Sequence, residues 1–81
     1  MEDLMRPRIE LKVHNSLRLI IANKDQKALN YAVNYARAGL SMTGEELRVQ
    51  CLYVLNNITH WRGEVAKEVR GVLKEYTNRN H

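Results

Sequence analysis

The chain has 81 residues, 44% of them hydrophobic and 27% charged, and its 13 basic and 9 acidic residues give a net charge of +4. A single domain of this size buries only about 60% of its unfolded surface, so a deep catalytic cavity and a full core would compete for the same few side chains. No apolar run approaches the ~20 residues of a membrane span, and the lone cysteine, Cys51, excludes an intramolecular disulfide and a cysteine-based zinc cluster.

The segment Met1–Arg6 has no signal-peptide pattern, which predicts a cytoplasmic protein. The chain reads as one domain over 1–81, with 1–6 and 77–81 as frayed ends. The first element spans about Pro7 to Ala22. Ile9, Val13, Leu17 and Ile20 share one helical face, and Pro7 suits a first helical turn. The same stretch also alternates with period two around His14-Asn15-Ser16, so a β-hairpin over 8–22 is the alternative. That turn lacks glycine and any Asn-Gly or Asp-Gly pair, which favours the helix.

A second helix is expected from Asp25, as N-cap, to Ala38, with Gly39 terminating it. Leu29, Ala32, Val33 and Ala36 form its inner face, and Tyr31 and Tyr35 an adjacent stripe. The third helix opens on Thr43-Gly44-Glu45-Glu46, the spacing of a reciprocal Thr–Glu capping box, and runs to about Asn57. Leu47, Cys51, Val54, Leu55 and Ile58 gather on one side of it. Val49, Leu52 and Tyr53 gather on the other. A helix apolar on two sides is either central in its bundle or shared with a partner. The fourth helix is expected from His60 to Tyr76 with Thr59 as N-cap, its inner face drawn by Trp61, Val65, Val69, Val72, Leu73 and Tyr76. Its outer side divides into a ridge of Lys67, Arg70 and Lys74 and one of Glu64, Glu68 and Glu75. The fold class is therefore all-α, a compact bundle of about four short helices joined by short connections.

Catalytic chemistry finds little footing in this pattern. Cys51 lies on the densest apolar face, where desolvation suppresses the thiolate. His14, His60 and His81 have no metal-binding spacing, and no glycine-rich phosphate loop is present. Glu45 and Glu46 fit the positive end of a helix without a metal. The sequence thus predicts a non-enzymatic protein with no cofactor and no metal.

Two binding readings remain. In the first, Tyr31, Tyr35, Val49, Leu52 and Tyr53 contact a protein partner or a second copy in a homodimer, since aromatic side chains bury large areas at low entropic cost. In the alternative, His60, Trp61 and Arg62 meet phosphates and bases at a helix start, and Lys67, Arg70 and Lys74 extend the track over DNA or RNA. The Ile58–Arg62 corner has the outline of a helix-turn-helix, without its turn glycine. Neither reading calls for a membrane or a small-molecule substrate.

From Ala28 onward the chain resembles a group of small proteins encoded by phages and prophages of Gram-positive bacteria. The resemblance rests on Leu29-Asn30-Tyr31-Ala32-Val33-Asn34-Tyr35-Ala36 and on Gln50-Cys51-Leu52-Tyr53-Val54-Leu55-Asn56-Asn57-Ile58-Thr59-His60-Trp61-Arg62, and it covers about two-thirds of the sequence. It implies a bacterial host cytoplasm and a role in a phage or mobile-element programme. The group has no assigned activity, so the resemblance transfers no functional residue. Taken together, these features predict an interaction module that binds a protein or itself and acts as a phage or mobile-element regulator.

Overall fold

The computed structural model describes residues 5–78 and is all-helical over them. Helix α1 spans Met5–Ala22, a 3₁₀ turn spans Lys27–Leu29, and α2, α3 and α4 span Ala32–Gly39, Gly44–Asn56 and Glu64–Thr77. Helix α1 packs on α2 and α4, and α3 packs on the same two, so α1 faces α3 across the bundle and α2 faces α4. The Cα radius of gyration is 12.0 Å, close to the ~12 Å expected of a folded chain of this length.

The helix over 8–22 is confirmed and the hairpin excluded, because Val13, Leu17 and Ile20 all enter the core from one side of α1. Of the expected frayed ends, Met5 and Arg6 belong to α1 and Thr77 to α4, while 1–4 and 79–81 lie outside the described residues. Thr77 is buried, and its hydroxyl donates to the Lys74 carbonyl oxygen at 3.0 Å.

The second helix differs from expectation. Asp25 does not open it. The chain turns at Asn23, whose side chain donates to the Leu19 carbonyl oxygen at 2.8 Å and so satisfies one of the orphan acceptors at the end of α1. The 3₁₀ turn follows, and α2 starts at Ala32. The expected inner residues Leu29, Ala32, Val33 and Ala36 are all buried, Leu29 from the 3₁₀ turn and the other three from α2. Gly39 is not a left-handed terminator. It lies inside α2, buried, where an added Cβ would stand 2.8 Å from Leu17 Cδ1. Its role is the close approach of α2 to α1.

The capping box at Thr43 does not form, and Thr43 makes no side-chain cap hydrogen bond. Gly44 enters α3 at φ +61°, and its N–H donates instead to Glu10 Oε2 of α1 at 2.9 Å. A carboxylate from another helix thus meets the positive end of α3. The Tyr76 hydroxyl lies 3.0 Å from the same carboxylate oxygen and 3.1 Å from the Gly44 carbonyl oxygen, where it can donate to either. His14 Nε2 donates to the Met42 carbonyl oxygen at 3.0 Å and fixes the same loop onto α1. Three helices are therefore tied at one end of the bundle by groups scattered across the whole chain.

Helix α4 begins four residues later than expected. Thr59–Gly63 is a loop, and the N-cap is Gly63 at φ 112°, ψ 177°, a backbone region essentially restricted to glycine. Trp61 plugs the core from this loop at 2% exposure. The shifted start places Ala66, rather than Val65, at the buried position beside Val69 and Leu73, and Val65 is exposed.

Candidate protein-interaction surface

Tyr31, Tyr35, Leu52 and Tyr53 are 76%, 39%, 40% and 49% exposed, and Val49 is half-buried. Tyr35 and Tyr53 stack, with ring centroids 5.8 Å apart and an interplanar angle of 28°. The stack joins the outer edge of α2 to that of α3. Beneath it, buried Gln50 donates through Nε2 to the Tyr35 carbonyl oxygen at 2.9 Å. This bond explains the position of Tyr35: the α3 core face supplies an amide that holds the α2 backbone where the two rings meet. The signal for Gln50 in the sequence is its polar amide one turn before Val54 on a core-facing helix.

Arg48 and Glu45 form an ion pair at 2.7 Å on the same helix. The hydrogen bond from Arg48 holds the Glu45 carboxyl below its ordinary range. Glu45 stands in solvent at the edge of the outer α3 face, and Arg48 is half-buried beside it. Leu11 and Leu19 are exposed as well, but they lie two turns apart on α1, the scattered exposure common on soluble domains.

The residues of the nucleic-acid alternative do not come together as the sequence suggests. Trp61 is sealed in the core and has no face for a base. His60, Trp61 and Arg62 precede α4 rather than occupy its first turn. Arg70 turns inward: its Nη1 donates to the carbonyl oxygens of Trp61 at 2.7 Å and Ile58 at 3.3 Å. It pins the 59–63 loop over the core. His60, Arg62, Lys67 and Lys74 remain exposed.

Cys51 is fully buried, and desolvation pushes its thiol up to about 12. Its environment is that of a packed apolar group. Among the described residues, no three His, Cys, Asp or Glu side chains are placed to hold a metal ion, and no helix is long and apolar enough to cross a membrane. No protein-family model matches the chain, and neither does any curated protein or solved structure.

Proposed function

We propose that this protein is a non-enzymatic helical interaction module that binds a protein, a partner or a second copy of itself, through the surface of Tyr31, Tyr35, Val49, Leu52 and Tyr53. One observation carries the reading: four large side chains stand exposed on α3 and on α2 with its N-cap residue, two of them already stacked on each other. Tyrosine is the residue type that concentrates binding energy in protein interfaces, and a pre-stacked pair loses little rotamer freedom when it is covered. The setting suggested by the resemblance to phage and prophage proteins is a bacterial cytoplasm, where the module serves a phage or mobile-element programme as a regulator.

The test uses Leu52→Asp. This change places a charge at the centre of the surface without disturbing a core contact. Tagged wild-type and Leu52→Asp chains are expressed in the native cell, recovered, and compared for mass in solution and for bound protein. A stoichiometric assembly that is present with wild type and lost with a fully helical Leu52→Asp variant supports the reading. An assembly equal in both, or a Leu52→Asp chain that unfolds, overturns it.

A further inference from the structure

The positive charge of this chain is unevenly placed. Residues 11–44 hold five basic side chains, Lys12, Arg18, Lys24, Lys27 and Arg37, against one acid, Asp25, whereas residues 45–78 hold five of each sign. The excess of four in the first stretch equals the net charge of the whole chain. Along α3 and α4 the signs interleave. Glu45 is ion-paired with Arg48, Arg70 turns onto backbone carbonyl oxygens, and Lys67 and Lys74 alternate with Glu64, Glu68 and Glu75. The five basic side chains of the first stretch are all exposed, and among the described residues none of them has a carboxylate partner.

Four of these cations gather along the border between α1 and α2. Leu17 stands against Gly39, and His14 against Met42, so the two helices run antiparallel and Arg18 is level with Arg37 and Ala38. Arg18 lies one turn after His14, on the stripe of α1 that turns toward α2, and Lys12 lies off that stripe. On α2, Tyr35 marks the border toward α3 by stacking on Tyr53. Arg37, two residues on, falls on the opposite border, toward α1. Asn30, Asn34 and Arg37 follow one another at spacings of four and three and share that border; all three are exposed. Lys24 and Lys27 stand on the connection that joins the two helices. Arg18 Nη1 donates to Asn15 Oδ1 at 2.9 Å, which steadies the guanidinium and leaves its charge uncompensated. Tyr31, the N-cap of α2, is 76% exposed beside Asn34.

The exposed chemistry of this border is arginine, lysine, asparagine and one free aromatic ring, without the aliphatic anchors that the α2–α3 surface has in Val49 and Leu52. We propose that it binds a single-stranded nucleic acid, with Arg18, Arg37, Lys24 and Lys27 on the phosphates and an unpaired base stacked on Tyr31. A guanidinium meets phosphate oxygens in a bidentate fork. Cations beside an exposed aromatic ring are the pattern of single-strand binding, and a base reaches such a ring only where no duplex holds it stacked. The amides of Asn30 and Asn34 supply donors and acceptors for a base edge. The proposal goes beyond the protein-binding reading and shares only Tyr31 with it. Since the eight residues of α2 rise about 12 Å, the footprint is a few nucleotides and binding is weak. Four phosphate contacts on a single strand give log affinity a slope of about −3 against log salt.

Fluorescence anisotropy of labelled oligothymidylate and oligouridylate, titrated with the full chain between about 50 and 200 mM salt, tests this. The wild-type chain should bind at least one of them with that slope. Arg18→Gln combined with Arg37→Gln should lower affinity at least tenfold at the low-salt end and bring the slope to about −1.5, since two of four contacts go. Lys24→Gln combined with Lys27→Gln should do the same, so the result does not hang on one pair of side chains. Tyr31→Leu should lower affinity about tenfold and leave the slope in place. Lys67→Gln combined with Lys74→Gln removes equal charge from α4 and should cost less than about twofold, the long-range part of the attraction alone. Absence of binding to both oligonucleotides overturns the proposal, as does an equal loss from the α4 pair. A Tyr31→Leu chain that binds like wild type removes the stacked base and overturns it too. Polyglutamate binding as tightly as the oligonucleotides would reassign the border to an acidic protein. The recovery test with Leu52→Asp reads the α2–α3 surface separately, so either reading fails without the other.

Discussion

Leu47, Cys51 and Val54 on one side of α3 are sealed against the other helices, whereas Val49, Leu52 and Tyr53 on its other side meet solvent or the edge of α2. Both faces carry large apolar side chains at helical spacing. What separates them is the position of the other three helices. Periodicity shows which side chains share a face, but the choice between the two faces is made by long-range contacts from α1, α2 and α4. The outer face is what remains after an 81-residue chain has built one core.

The largest expected effect follows from that contrast. Leu47→Ala should cost about 2–5 kcal/mol, because a fully buried leucine leaves a cavity that the bundle closes only in part. Leu52→Ala on the monomer should stay within about 0.5 kcal/mol. Urea unfolding of the two variants at low protein concentration measures the difference. Comparable losses would mean that the outer face is as essential to the monomer as the inner one.

The two loops at opposite ends of α3 come next. Gly63→Ala forces a side chain into a backbone region that alanine does not occupy, and should cost about 1–3 kcal/mol. The strain is in the backbone itself, since nothing lies within 4 Å of the added Cβ. At the other end, Tyr76→Phe removes the hydroxyl shared by Glu10 and Gly44. The expected loss is about 0.5–1.5 kcal/mol. A double-mutant cycle with Glu10→Gln should show the two changes to be non-additive, because both act on one carboxylate. Strict additivity would show that the three groups do not act as a unit.

Much of the fold follows from local pattern. The four-helix architecture, the inner faces of α1 and α2, and the burial of Cys51 are all consequences of apolar spacing along one segment at a time. The exposed tyrosines belong to the same class, since they lie off the inner faces. The features that spacing does not reveal depend on partners far away in the sequence. Glu10 lies 34 residues from Gly44 and 66 from Tyr76. Arg70 looks like one member of a basic ridge until Ile58 and the loop that follows it place two carbonyl oxygens beside it. Trp61 and Val65 fit one continuous helical stripe, and the glycine at 63 breaks that stripe before α4 begins. The long-range bonds also settle how each helix end is capped, and so which local motif is used.

The smallest effect is at Thr43, and it separates the local motif from the tertiary one. If the Thr–Glu capping box held α3, Thr43→Ala would cost about 1 kcal/mol. In the structure, the first N–H of α3 is satisfied by Glu10 instead, and the Thr43 side chain makes no cap bond. Thr43→Ala should therefore change the urea midpoint by less than Glu10→Gln does. Urea unfolding of both variants checks the order. The reverse order would restore the capping box and remove Glu10 from the end of α3, and with it the reason that the helix opens at a glycine with positive φ.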